Sequence, residues 1–188
     1  MLSPSVIEDV LTAALSTGGD FSEVFVEDRF SNNMTLQSGR LEKSISGRDF
    51  GVGIRIFKGL QSVYAYTNDF TKEGLIKAAK TAAQAIQGAS SDKTTIIPLE
   101  KEIIQTAHPI ELMPNSVEKT RKLAVLCKAN DIVTNYHESI SQAVIRLIDE
   151  EQNVLIANSE GKVVEDKRVR SRLAIMAIAS KGTDMQQG

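Results

Sequence analysis

The sequence predicts an α+β fold of two small lobes, each an antiparallel β-meander with covering α-helices. Between Phe21 and Thr67 the apolar residues of several runs alternate with other residues, which is the period of half-buried strands; the runs include Val24 and Val26, Met34 and Leu36, and Val52, Ile54 and Ile56. A second set of short apolar runs, separated by turn residues, extends from Ala143 to Ser180. Each set follows a segment whose apolar residues have helical spacing. With 188 residues the chain is long enough for one domain or two small lobes.

The first lobe, residues 1–88, is predicted to run helix, meander, helix. Ser3 and Pro4 are typical of a helix start, and the helix is expected to reach about Thr17 before two glycines. About four strands then fill residues 21–67. Polar residues at 68–71 introduce a second amphipathic helix, which is expected to end at Gly88.

Residues 89–114 are predicted to be a connector, because they combine small polar residues with three prolines. The second lobe, residues 115–188, begins with a helix that Asn115 or Ser116 can cap. This helix carries Leu123, Leu126, Cys127 and Val133 inward and ends near Asn135. An antiparallel meander follows, with turns expected at residues 149–153 and 158–161.

The composition excludes several functional classes. The chain has 22 basic and 24 acidic residues, so its net charge of -2 provides no global field for binding nucleic acid. One cysteine and two histidines do not suffice for a cysteine-rich zinc cluster. No apolar run approaches the roughly 18 residues that a membrane-spanning helix needs, and no secretory pattern opens the chain. A cytoplasmic protein without a membrane partner is expected.

No catalytic or metal-binding constellation is predicted in this chain. His137 and Glu138 are adjacent, but no second histidine follows one helical turn later, so a surface or capping histidine is favoured. His108 has no partner at useful spacing. Cys127 lies on the apolar face of a predicted helix, where a thiol behaves as a small hydrophobic group. Phosphate-binding and serine-hydrolase motifs are also missing from the sequence.

Glycines and tyrosines on neighbouring predicted strands suggest the first candidate binding face. With Lys58 and Gly59 as a two-residue turn, Gly53 pairs with Tyr64 and Gly51 pairs with Tyr66. The simpler interpretation is that each ring covers a strand glycine. The functional interpretation is that Arg55, Tyr64 and Tyr66 share one face with Ser62 and bind a protein or a peptide.

A stripe of arginines is the second candidate. Arg168, Arg170 and Arg172 alternate along one predicted strand, which places three guanidinium groups on a single face. Such a face is either solvated or binds an acidic partner or a substrate carboxylate.

Three segments resemble the TldD/PmbA family, whose members are metallopeptidases historically labelled modulators of DNA gyrase. They are the run at residues 19–28, the Gly-Val-Gly-Ile-Arg run at 51–55, and Ala-Tyr-Thr at 65–67 before an alanine-rich helix. Residues 154–161, with their Asn-Ser-Glu-Gly turn, resemble the family's middle region. The form of the 51–55 run is more similar to the TldD branch than to the PmbA branch.

The resemblance implies a longer protein with a zinc site built from a downstream H-E-x-x-x-H helix and a distal cysteine. Neither motif occurs in this chain, so no residue here inherits a catalytic or metal role. The chain is therefore expected to continue past Gly188 into a C-terminal metallopeptidase domain, and to be inactive alone. The family also implies a PmbA-like partner chain or self-association, and peptides or unfolded proteins as substrates.

Under this interpretation the segment supplies substrate and partner surface, because strand edges can accept an extended peptide. The alternative is a stand-alone protein-binding or adaptor module without catalytic activity.

Overall fold

The computed structural model describes residues 2–86, 97–102 and 109–188. The predicted α+β class is confirmed. The described elements, in chain order, are α1 (Pro4–Leu15), β1 (Phe21–Gln37), β2 (Arg40–Lys58), β3 (Gln61–Thr67), α2 (Lys72–Gln84), β4 (Glu100–Glu102), α3 (Lys119–Thr134), β5 (Ile140–Asn158), β6 (Lys162–Lys181) and β7 (Asp184–Gln187).

The strands form one sheet in the order β3-β2-β1-β5-β6-β4, and β7 pairs with β6. The β2–β3 and β6–β7 pairs are antiparallel, whereas the short β4 lies parallel to β6. The two predicted meanders are thus adjacent in one sheet, because β1 lies beside β5. Periodicity within a segment does not reveal which distant strand becomes its neighbour.

The first meander has three strands instead of the expected four. Residues 40–49 of β2 are exposed, so they show no alternation of buried and exposed side chains although they continue the strand. The expected turn at residues 149–153 is also absent, because β5 runs unbroken through them. Asp149 is buried in this strand and forms an ion pair, so an acidic residue there does not mark a turn.

The chain divides into two compact units that are not consecutive in sequence. Unit 1 comprises residues 1–28, 49–107 and 153–167, and unit 2 comprises residues 29–48, 108–152 and 168–188. The predicted boundaries at 88 and 115 remain a prediction. The expected helix end at Gly88, His108 and most of the connector lie outside the described residues.

In unit 1, α1 and α2 pack on the inward side chains of β1 and β2. Pro4 occupies the first turn of α1, and the Val6 N–H donates to Ser3 Oγ at 3.4 Å, as the sequence predicts. Thr71 Oγ1 caps α2 by accepting the Gly74 N–H at 3.1 Å. The buried core includes Val10, Leu11, Val24, Val26, Val52, Ile54, Ile56, Leu75, Ala79 and Leu155.

In unit 2, α3 packs on β1 and β5 around a smaller core of Met34, Leu36, Leu126, Ala143 and Ile145. The predicted helix cap is wrong. Ser116 lies in a short 3-10 turn, where its hydroxyl donates to the Met113 carbonyl, and no side chain caps the first amides of α3. The helix begins instead at Lys119, after Glu118.

The predicted reversal between β5 and β6 is confirmed. Asn158 Oδ1 accepts the backbone N–H groups of Glu160 and Lys162, each at 3.1 Å. Gly161 has a φ of 87°, in the left-handed region that favours glycine.

Candidate binding face

The hairpin that joins β2 to β3 carries the first candidate site. Its turn residues are Gly59 and Leu60, because Lys58 pairs with Gln61. Gly59 adopts a φ of 53° and donates its N–H to Asp20 Oδ2 at 2.7 Å, which holds the turn one residue further along than predicted. Glycine at the first turn position is typical of a type II′ hairpin.

The predicted strand register is therefore wrong by two residues. Gly53 pairs with Tyr66, and Arg55 pairs with Tyr64. The predicted ring cover is nevertheless confirmed, because each ring lies diagonally over a glycine. A Cβ atom added at Gly51 would lie 2.2 Å from Tyr66 Oη, and one at Gly53 would lie 2.3 Å from Tyr64 Oη. Only glycine leaves room for the rings at these positions.

Arg55 lies against two aromatic rings on this surface. Its guanidinium carbon is 5.5 Å from the centroid of Tyr64 and 6.0 Å from that of Phe57, which is cation–π distance. Glu23 Oε1 lies 3.7 Å from Arg55 Nη1, too far for a strong hydrogen bond. Arg55 therefore retains donors for a ligand.

We call the surface formed by Arg55, Phe57, Tyr64 and Tyr66 the Arg55 face. Tyr64 and Tyr66 are 54% and 63% exposed, and Tyr66 Oη donates to the Phe50 carbonyl at 3.3 Å. The structure thus brings Arg55 and the two tyrosines together, as the sequence predicts for one shared face. The guanidinium group of this surface suits a carboxylate, and its two phenol rings suit the apolar side chains of a peptide.

The Arg55 face borders an end of the sheet, because β3 is the terminal strand of the sheet order. Within residues 2–86, 97–102 and 109–188, no strand pairs with the outer edge of β3. An edge of this kind presents backbone donors and acceptors that an added strand can use.

The arginine stripe lies on β6 and belongs to unit 2. Arg170 Nη1 lies 3.3 Å from Glu150 Oε1, and Arg29 Nε lies 3.0 Å from the other oxygen of the same carboxylate. Glu150 thus neutralises part of the positive charge around the stripe. Arg168 also has interactions within the fold, and Arg172 is exposed.

The sequence interpretation missed a buried ion pair in unit 2. Lys122 Nζ lies 2.7 Å from Asp149 Oδ2, and the two side chains are 6% and 5% exposed. Ser171 Oγ donates to the other oxygen of Asp149 at 2.7 Å. The available signal was the position of Lys122, one helical turn before the buried Leu126 on the same side of α3.

The described part of the chain contains no group of three or more His, Cys, Asp or Glu residues that could hold a metal ion. His137 Nδ1 accepts the Ser139 N–H at 3.1 Å and lies 2.8 Å from Ser139 Oγ, an arrangement that closes a local turn. Cys127 is partly buried against the core of unit 2. The zinc that the family resemblance implies therefore has no ligand set among these residues.

None of the described helices is both long enough and apolar enough to cross a lipid bilayer.

Two family models match the chain. The model of PmbA/TldA metallopeptidase domain 1 matches residues 22–86, and the model of the central domain of the same metallopeptidases matches residues 113–188. Together these matches include both the Arg55 face and the arginine stripe.

Curated relatives agree with these matches. A metalloprotease TldD homolog of Buchnera aphidicola is 22% identical over 188 residues, which are 97% of this chain and 36% of the relative. A metalloprotease of Methanocaldococcus jannaschii is 24% identical over 191 residues, which are all of this chain and 41% of the relative. The chain thus spans about two fifths of the length of these relatives.

Solved structures of three similar proteins share the fold. A Bacteroides thetaiotaomicron protein titled as a modulator of DNA gyrase superposes with a TM-score of 0.78 at 13% identity, over 97% of this chain and 43% of that one. A Thermotoga maritima protein with the same description has a TM-score of 0.73 at 18% identity, over 99% of this chain and 42% of that one. TldE from Thermococcus kodakarensis has a TM-score of 0.61 at 15% identity, over 96% of this chain and 40% of that one.

Proposed function

This chain belongs to the PmbA/TldD metallopeptidase family, and from that premise we propose that it is the non-catalytic region of a zinc metallopeptidase that acts on peptides or unfolded proteins. In this role it supplies surface for the substrate and for a PmbA-like partner chain. The matches to the first and central domains carry the proposal.

The distribution of metal-binding residues supports this division of labour. Curated relatives are named metalloproteases, while the described residues of this chain have no cluster that could bind a metal. This chain also covers only 36% to 41% of those relatives. We therefore assign the zinc chemistry to the part of the protein that these matches do not include.

The Arg55 face supports a role in holding an extended substrate. A peptide that adds to the edge of β3 gains main-chain hydrogen bonds that do not depend on its sequence. Alternate side chains of that peptide would lie over Tyr64 and Tyr66, which are mostly exposed. Arg55 would bind an acidic side chain or a backbone carbonyl with donors that Glu23 leaves unused.

The experiment uses the full-length protein together with its partner chain and measures cleavage of an unstructured reporter peptide. The double variant Arg55→Gln/Tyr64→Ala is expected to raise KM about tenfold with little change in kcat, because the lost contacts bind the substrate without touching the reacting bond. The matched control is Arg121→Gln/Tyr136→Ala, which removes an exposed arginine and an exposed tyrosine of unit 2.

Assembly is measured on the same samples by size-exclusion chromatography with light scattering. Loss of assembly together with cleavage would assign the Arg55 face to the partner chain. If KM and assembly both match the control, the Arg55 face has neither role. Complete lack of peptidase activity in the zinc-loaded wild-type complex would favour the adaptor function instead.

A further inference from the structure

Unit 2 contains a depression of about 500 Å3 that lies across three neighbouring strands. Its lining residues are Asn33 and Thr35 of β1, Glu42 and Lys43 of β2, and Arg146 and Ile148 of β5. This volume is within the range of about 300 to 1,000 Å3 that is usual for sites of small ligands. None of the six residues is part of the Arg55 face or of the arginine stripe.

The two cations of the depression, Lys43 and Arg146, are exposed, and neither forms an ion pair within the part of the chain that the structure describes. Arg29 and Arg170 of the same unit, by contrast, share the carboxylate of Glu150. Arg146 therefore presents an unoccupied fork of N–H donors, the geometry that binds a carboxylate through two parallel hydrogen bonds.

Glu42 and Ile148 restrict the choice of ligand further. Glu42 also lines the depression, so the local net charge is close to +1. One carboxylate balances this charge, whereas a dianion such as phosphate would exceed it. Ile148, which is 38% exposed, offers an apolar surface next to the polar groups.

We propose that this depression binds the C-terminal residue of an extended peptide. The α-carboxylate pairs with Arg146 and Lys43, and the terminal side chain contacts Ile148. These groups match because a peptide terminus carries one negative charge next to one side chain. The inference rests on the proposed function, since it assumes a peptide ligand, and it adds recognition of a free carboxyl terminus.

The experiment measures fluorescence anisotropy of the full-length protein with a fluorescein-labelled hexapeptide that ends in leucine. Zinc is first removed with a chelator so that the peptide stays intact. The peptide is prepared with a free C-terminal carboxylate and with a carboxamide. Wild-type protein is expected to bind the acid about tenfold more tightly than the amide, as the loss of a charge-assisted hydrogen bond predicts.

Arg146→Gln is expected to reduce this preference to less than about twofold, because the guanidinium supplies the charge that distinguishes the two peptides. Arg121→Gln, on the exposed side of α3, is the matched control and should keep the full preference.

Equal binding of the acid and the amide to wild-type protein would overturn the inference and leave the proposed function standing. Absence of binding by either peptide would contradict the proposed function itself. A competition experiment distinguishes a peptide terminus from a free amino acid, which carries the same carboxylate. Displacement by N-acetyl-leucine supports a peptide terminus, whereas displacement by leucine but not by N-acetyl-leucine would reassign the depression to a free amino acid.

Discussion

Lys122 and Asp149 form a buried ion pair in unit 2. The 2.7 Å ion pair is almost completely buried, and Ser171 satisfies the second carboxylate oxygen. The pair joins α3 to β5 at the margin of a small apolar core. Burying both charges removes them from water, so the contact stabilises unit 2 only while both partners are present.

We expect Lys122→Ala to lower the free energy of unfolding by about 3 to 5 kcal/mol, because Asp149 would remain buried without a counterion. The double variant Lys122→Met/Asp149→Leu should recover most of this loss, since it removes both charges and restores apolar packing. Urea denaturation followed by circular dichroism measures both values. Lys119→Ala, at an exposed position of the same helix, should change stability by less than about 0.5 kcal/mol. A double variant as unstable as Lys122→Ala would contradict this account.

Asp69 shows how a single carboxylate supports a helix start. Its Oδ1 accepts the Thr71 hydroxyl at 2.7 Å and the Thr71 N–H at 3.0 Å. These hydrogen bonds, the hydroxyl first, lower the pKa of Asp69 below its ordinary value. The resulting stabilisation is present at pH values above the pKa of the unfolded chain and is lost as the pH falls through the lowered pKa.

Replacing Thr71 with valine should therefore raise the pKa of Asp69 toward its ordinary value, because the hydroxyl donor is lost while the backbone donor remains. Thr71→Ser keeps a hydroxyl and should keep the low pKa. Carboxyl carbon chemical shifts, followed by NMR from pH 2 to pH 6, measure the pKa in each protein. Equal values in the valine and serine variants would exclude the hydroxyl as the cause.

Among the secondary-structure elements, the reversal from β5 to β6 depends most strictly on glycine. Gly161 combines a left-handed φ with crowding, since an added Cβ would lie 2.6 Å from the Pro98 carbonyl oxygen. Gly59, in the turn from β2 to β3, also has a positive φ but has no atom within 4 Å of an added Cβ. The two positions therefore separate backbone strain from steric clash within unit 1.

We expect Gly59→Ala to destabilise by about 1 kcal/mol, the usual cost of a left-handed alanine. Gly161→Ala should cost about 1 to 2 kcal/mol more, because a backbone carbonyl must also move. Urea denaturation of the two variants under identical conditions gives the difference. Equal losses would mean that the chain around Pro98 relaxes freely.

At the scale of the whole molecule, the described residues contain no metal-binding cluster, and this leads to a prediction that separates activity from stability. The proposed function implies that a chelator abolishes peptide cleavage by the full-length protein, because relatives of this chain are named metalloproteases. The same treatment should leave the stability of unit 1 and of unit 2 unchanged, because their described residues include no group of side chains that could hold a metal ion. Metal removal destabilises only the parts of a protein whose fold includes the site.

Hydrogen exchange with and without the chelator tests this on the full-length protein. Backbone amides of Val24 and Ile54 report on unit 1, and those of Leu126 and Ile145 report on unit 2, since all four residues lie in the buried cores. Faster exchange at either pair after metal removal would mean that a metal stabilises that unit.

Much of the local structure was predictable, because its causes lie within a few residues. The Ser3–Pro4 start of α1, the Thr71 cap of α2 and the glycine in the Asn158–Gly161 reversal all act on neighbouring backbone groups. The grouping of Arg55, Tyr64 and Tyr66 was also predictable, because side chains alternate along a strand. The family follows from the same short segments.

Contacts between distant segments were not predictable from these patterns. The turn at Gly59 depends on the Asp20 carboxylate, which comes from the start of another strand. A lysine side chain is usually exposed, but that of Lys122 is buried, where it forms an ion pair with Asp149. The depression around Arg146 and Asn33 exists only because β5 lies next to β1.

Amino-acid order thus suffices for the α+β class, the starts of α1 and α2 and the family, because periodicity, capping and turn chemistry act locally. Strand neighbours, register, the buried ion pair and the proposed carboxylate site follow only from the folded chain, since each depends on groups that burial brings together from remote positions. A buried charge or an exposed donor has no local signature, because its free energy depends on which partner lies within a few ångströms.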